Sequence, residues 1–125
     1  MARKSSPRAA RDRATRYHSL IVRARGACQR CGRSNDLQCA HIIKRSRTAT
    51  RTDLKNAWCL CSQCHWKVDN DAYEFWALVR KTISESGYVD LRDRAEHYTR
   101  SPGTFDWVAE RDRLRELWKQ TEALV

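Results

Sequence analysis

Six cysteines, four histidines and a dense run of cations are the chemistry-bearing residues of this 125-residue chain, and most of them crowd into one stretch. Cys28-Gln29-Arg30-Cys31-Gly32 and Cys61-Ser62-Gln63-Cys64 are two Cys-x-x-Cys pairs. Two thiolates separated by two residues can ligate one tetrahedral ion, and the glycine permits a tight turn with its N–H groups aimed at sulfur. Together, Cys28, Cys31, Cys61 and Cys64 read as a four-cysteine structural zinc site. The 29 residues between the pairs exceed the spacing of a simple zinc ribbon, so a small subdomain must sit between the knuckles. A thioredoxin-like redox role lacks the βαβ surroundings it needs. Cys39 and Cys59 stand outside this spacing and are expected as small buried residues.

The formal net charge is +10, and it is unevenly spread. Residues 1–52 hold 14 Lys and Arg against 2 Asp and Glu, whereas residues 53–125 hold 11 against 13. Such asymmetry points to a polyanionic partner for the first half, most simply nucleic acid. A mean hydropathy of −0.81 leaves little apolar material, so a metal staple would help one small domain to fold. No apolar run is long enough for a membrane span, and the basic N-terminus has no apolar core of a secretory signal. Cysteine pairs in such a chain favour a reducing, intracellular and cytoplasmic setting, where they bind metal more often than they form disulfides.

The elements that must position these groups follow in order. Residues 1–7 read as a disordered basic arm. Residues 8–25 suit a basic helix with Ala9, Ala10, Ala14, Tyr17, Leu20, Ile21 and Ala24 near one face, and Arg11, Arg13, Arg16 and Arg23 on the other. Gly26 is a natural stop. That helix packs on the metal module, lies along phosphates, or does both. Residues 37–43 and 57–60 read as short strands, joined by a loop carrying Lys44, Arg45, Arg47 and Arg51. Within that loop Arg51 either contacts phosphate or pairs with Asp53. From Cys64 the chain is helical, so that His65 and Asp69 share a face. A helix from Tyr73 ends near Gly87, a short one covers residues 91–98, Ser101-Pro102-Gly103 breaks the chain, and Asp106 caps a final helix through Leu124. His18 and His97 are expected at the surface.

His41-Ile42, Asn56 fifteen residues on and His65 nine further, framed by the cysteine pairs, resemble the His-Asn-His (HNH) motif of the ββα-metal, or His-Me finger, endonucleases. The string is similar to phage-encoded HNH proteins of the NinG type. The resemblance covers about residues 26–72. It implies an α+β, mostly helical fold: a small ββα-metal core over residues 26–72 with the four-cysteine zinc site, flanked by the N-terminal helix and a helical extension over residues 73–125. It further implies that His41 is the general base activating a water, that Asn56 holds the loop and so orients His41, and that His65 binds a divalent ion such as Mg²⁺ or Mn²⁺. The products would be a 5′ phosphate and a 3′ hydroxyl. Lys44, Arg45, Arg47 and Arg51 would contact backbone phosphates, which position a duplex without reading its sequence.

One position departs from the pattern. Many relatives carry an acidic residue or second histidine just before the base, and here it is Ala40. Asp69, one turn after His65, is the replacement ligand the spacing offers. Two functions from different classes follow: a metal-dependent endonuclease that nicks or cleaves DNA, with double-stranded DNA, RNA or branched DNA as substrate, or a zinc-stapled DNA- or RNA-binding module that no longer cleaves.

Overall fold

The computed structural model describes residues 6–100 and 102–124. Among them are five α-helices and one two-stranded antiparallel sheet: α1 (Pro7–Arg23), β1 (Leu37–His41), β2 (Ala57–Cys61), α2 (Ser62–Asn70), α3 (Ala72–Thr82), α4 (Ser84–Arg100) and α5 (Trp107–Leu124). The chain is thus mostly helical around a small β-hairpin followed by a helix, as a ββα core requires. Residues 1–5 of the expected arm lie outside the described residues. Ser6 and Pro7 do not belong to an arm, because they start α1. The Ser6 hydroxyl accepts the Ala9 N–H at 3.1 Å, and Pro7 has no N–H to leave unpaired at the first helical position. The helix ends before Gly26, whose φ of 85° is the left-handed conformation that glycine adopts most easily.

The hairpin organises the rest because it is buried on both faces. Leu37 pairs with Cys61 and His41 with Ala57, with Ala40 opposite Trp58 and Cys39 opposite Cys59. All five residues of β2 are buried. Ala40, Trp58 and Leu60 face Val68 of α2 and Leu78 and Val79 of α3. Ala57 and Cys59 face Val22 of α1, with Cys39 beside them. Trp58 anchors the first face: its indole N–H donates to Thr82 Oγ1 at 2.8 Å and its ring meets Phe75 edge-on at 5.5 Å. Asp71 separates α2 from α3 and caps the latter by accepting the Tyr73 N–H at 2.9 Å.

Three sequence expectations are corrected here. The helix that begins α3 does not run to Gly87; it stops at Thr82, and the chain turns through Ser84 at a φ of 66°. Gly87 then lies inside α4, which covers the stop expected there and the short helix expected over residues 91–98 as one piece. A single glycine in a helix costs only about 1 kcal/mol, which the packing of Leu91 and Ala95 offsets. Finally, His18 is fully buried, not on the surface. The buried stripe of α1 is Ala10, Ala14, His18 and Val22, spaced by four, and it carries the ring under the hairpin. His97 is exposed, as expected.

The final helix follows its cap, since the Asp106 carboxylate accepts the Ala109 N–H at 3.0 Å. It packs on α1 rather than on the hairpin. Trp107 and Leu114 of α5 close on Ala10 and Ala14, with Tyr17, Ile21, Phe105 and Leu117 around them, as a second small core. The two alanines let the helices approach closely. No helix among the described residues is long and apolar enough to cross a membrane.

Candidate metal centre and catalytic cluster

The two knuckles bring four sulfurs together. Gly32, with φ 83°, closes the first turn, its N–H donating to the Cys28 carbonyl at 2.8 Å. The second knuckle is the end of β2 running into the first turn of α2. Gln29 ties the first to the sheet. Its N–H donates to the Cys59 carbonyl at 2.8 Å, and its side-chain oxygen accepts the Cys59 N–H at 2.7 Å.

The Sγ atoms of Cys28, Cys31, Cys61 and Cys64 all lie within 4.8 Å of one another. The Cys31 and Cys61 sulfurs are 3.7 Å apart. A tetrahedron with zinc–sulfur bonds of about 2.3 Å has edges of about 3.8 Å, so the set fits zinc.

Cys28 and Cys64 feel the crowding of the sulfurs in opposite ways. Burial pushes the Cys28 thiol up, but N–H groups of Cys31, Cys61 and Arg30 prevail and bring it down to about 6. Burial and the neighbouring sulfurs push Cys64 up to about 12, against the Arg30 guanidinium that donates to its sulfur at 3.4 Å. Four thiolates this close repel one another unless a cation sits among them. Arg30 is itself held by Glu74 of α3 at 3.0 Å. Cys39 and Cys59 are no part of this group. Burial pushes the first up to about 11 and raises the second as well, which leaves both as inert thiols.

His41 ends β1. Its Nε2 lies 2.8 Å from the Arg51 carbonyl. A carbonyl only accepts, so Nε2 carries the proton and Nδ1 the lone pair. The ring is half-buried, and that burial moves its pKa below the ordinary histidine value. The Arg51 carbonyl pulls the other way, while the charges of Arg45, Arg51 and His65 add to the lowering.

Asn56 is fully buried and ties the loop shut. Its Oδ1 accepts the Ile43 N–H at 2.7 Å, and its Nδ2 donates to the carbonyls of Ile43 at 3.1 Å and Thr50 at 2.9 Å. The residue after Thr50 is the one whose carbonyl holds His41, so Asn56 reaches the imidazole through one peptide unit. Asn56→Ala leaves an N–H and two carbonyls without their partner in the interior. We expect a loss of about 3 kcal/mol in urea unfolding of the metal-loaded protein; a change below about 0.5 kcal/mol, the size of an ordinary surface substitution, would mean the amide holds nothing.

On the other face of the hairpin, His65 and Asp69 of α2 meet at 3.3 Å between Nε2 and Oδ2. Ala40 is buried opposite Trp58 and brings no ligand. Gln38, two residues earlier on the same strand face, does reach this site: its Oε1 is 2.7 Å from His65 Nδ1. With Nδ1–H donating to Gln38, the lone pair of Nε2 faces a carboxylate oxygen. That contact is favourable only with a proton or a cation between the two. Among the described residues no third cysteine, histidine or carboxylate joins this pair. The sequence did not single out Gln38; its only signal is the two-residue step from Ala40 along a strand.

Residues 28–71 match the HNH endonuclease family model. The matched stretch, the HNH segment, is similar to that family over these residues. It covers about a third of the chain and contains both cysteine pairs, the hairpin, the loop between the strands and α2. No curated protein and no solved structure matches the chain.

The cations of the HNH segment divide into free and committed ones. Lys44 and Arg45 are exposed. Arg47 donates to Thr99 Oγ1 of α4 at 3.0 Å. Arg51 does not pair with Asp53. Its Nε donates to Thr15 Oγ1 of α1 at 2.9 Å, whereas Asp53 binds Arg94 of α4 at 2.7 Å. Lys44 and Arg47 also separate two open clefts against α4, of about 370 and 300 Å³. Neither cleft is lined by His41 or His65.

Proposed function

We propose that this protein is a divalent-metal-dependent endonuclease that hydrolyses DNA phosphodiesters, with His41 as general base and the His65–Asp69 pair as the ion's protein ligands. The observation that carries this reading is the bond from His41 Nε2–H to the Arg51 carbonyl within a strongly cationic loop. It leaves Nδ1 as an unprotonated nitrogen on a ring whose pKa is lowered, the state a base needs near neutral pH.

The steps assigned to the chain's own residues are few. His41 Nδ1 takes a proton from the attacking water. Asn56 keeps the Arg51 carbonyl in place and with it the ring. Lys44, Arg45 and Arg47 hold the backbone on either side of the cut by phosphate contacts, and Arg51, tethered to Thr15, sets its charge beside His41. Gln38 orients His65 by accepting its Nδ1–H, which aims Nε2 at the ion together with Asp69. The bound ion would supply charge neutralisation at the phosphate and at the leaving 3′ oxygen. A hard carboxylate with one imidazole and water suits Mg²⁺ or Mn²⁺. The zinc at the four cysteines is structural in this reading, because all four of its positions are taken by sulfur.

Ala40 favours a second reading, a nucleic-acid-binding module without cleavage, because it leaves the ion with only two side-chain ligands. Incubation of supercoiled plasmid with the zinc-loaded protein separates the two. Nicked circles are expected with Mg²⁺ or Mn²⁺ and not with EDTA. Retarded plasmid that stays supercoiled with every divalent ion would establish the second reading.

A further inference from the structure

Helix α1 lies outside the HNH segment, yet two of its side chains grip the loop that holds His41. The His18 ring is fully buried and lies against the His41 ring, with centroids 5.2 Å apart and planes inclined by 32°. His18 Nε2 is 2.9 Å from the Asp53 carbonyl, so this nitrogen carries the proton. Nδ1 faces the Cys39 sulfur at 3.8 Å, a thiol that burial keeps protonated and therefore able to donate. Both ring nitrogens are thus committed, and the tautomer is set from both sides.

Burial brings the pKa of His18 down to about 4, with His41 and Arg25 adding to the lowering against the Asp53 carbonyl and charge. The ring is neutral at neutral pH and sets no like charge against His41. About one turn earlier on α1, Thr15 accepts the Arg51 Nε–H. Arg51-Thr52-Asp53 is therefore held at both ends by α1, and between those ends the Arg51 carbonyl holds His41. A histidine that merely filled space would need neither hydrogen bond, and an apolar ring would cost less to bury.

We infer that His18 is a positioning residue for His41: ring contact and the bond to the Asp53 carbonyl keep the His41 imidazole in its Nε2–H form, with Nδ1 free to accept a proton. The catalytic consequence rests on the proposed role of His41 as base, whereas the tautomer does not. The charged and titratable groups around His41 are Arg45 and Arg51 from the loop, His65 from α2, His18 from α1 and Cys39 from its own strand.

Nitrogen-15 correlation spectra of the imidazoles, recorded on the full zinc-loaded chain, read the tautomer directly. A single Nε2–H form is expected for His41 in the unmodified protein. His18→Ala, which removes ring and donor, and His18→Phe, which keeps a ring but no donor, are expected to give mixed tautomers. His18→Gln, which restores an N–H toward Asp53, is expected to recover most of the Nε2–H form. In the plasmid assay the Ala and Phe variants should lower kcat roughly tenfold or more with KM unchanged, the pattern of a displaced group rather than of lost binding. A pure Nε2–H His41 in folded His18→Phe overturns the inference, and this variant decides alone should His18→Ala fail to fold. If the unmodified protein makes no nicks with any ion, the proposed nuclease activity falls, and the spectra still decide the role of His18.

Discussion

Stripping the metal from the four cysteines is expected to unfold the protein. A structural zinc site contributes apparent folding free energy of about 10 kcal/mol or more, and a domain of this size has a net stability of about that amount or less. The structure shows why little would remain. Cys28, Cys61 and Cys64 belong to the same core as Ala40, Trp58, Leu60, Val68 and Leu78, so an ion bound there would tie together β2, α2 and the first knuckle. Cys61→Ser should lose the zinc and, with it, the fixed environment of Trp58. Metal release measured with a colorimetric chelator and near-ultraviolet circular dichroism of the tryptophans would report the two events together. A chelated protein that melts at the same temperature as the loaded one would show that the four sulfurs, though gathered, do not hold the fold.

The second large effect is expected at His41. Its replacement by alanine leaves the backbone of β1 and the buried Asn56 network in place, since the imidazole is held through the Arg51 carbonyl and not through Asn56 itself. Nicking should fall by about a hundredfold to ten-thousandfold, the usual size of a general-base contribution, with DNA affinity little changed.

The pH dependence has a definite sign. A base must be unprotonated, and burial holds His41 below the ordinary value of 6.5, helped by Arg45, Arg51 and His65 and opposed by its bond to the Arg51 carbonyl. The neutral fraction is therefore high at pH 6.5 and declines only as the pH falls through the lowered value. The acid limb of the kcat profile should lie below 6.5 and vanish from the residual activity of His41→Ala. An acid limb above that value would place the essential ionisation elsewhere.

How much of this was legible in the sequence follows from how local each feature is. The four cysteines were legible because ligand spacing is covalent: two residues between thiols is already the geometry of a knuckle. The hairpin strands were legible from their short apolar runs, and α5 from its cap at Asp106. The stop of α3 was not, because nothing in Ile83-Ser84 advertises a turn as plainly as Gly87 does, and the glycine sits quietly inside α4. His18 was read as a surface residue because a histidine on a basic helix has no local sign of burial. What buries it is the hairpin, and its partners Cys39, His41 and Asp53 are more than twenty residues away. The pairing of Arg51 with Asp53 failed for a related reason. Each found a better partner from a helix that sequence proximity could not reveal, Thr15 for one and Arg94 for the other.

The sequence by itself determined a four-sulfur metal frame, a cationic loop and a His-Asn-His order, because each is a matter of residue type and spacing along the chain. Only the tertiary structure decided which nitrogen of His41 holds the proton, that Gln38 stands beside His65 on the strand face of Ala40, and that α1 packs against the His41 ring. These depend on two-sided burial of the hairpin. That burial drives most polar atoms brought inside to find a partner across the fold, and so fixes orientations that no stretch of sequence contains.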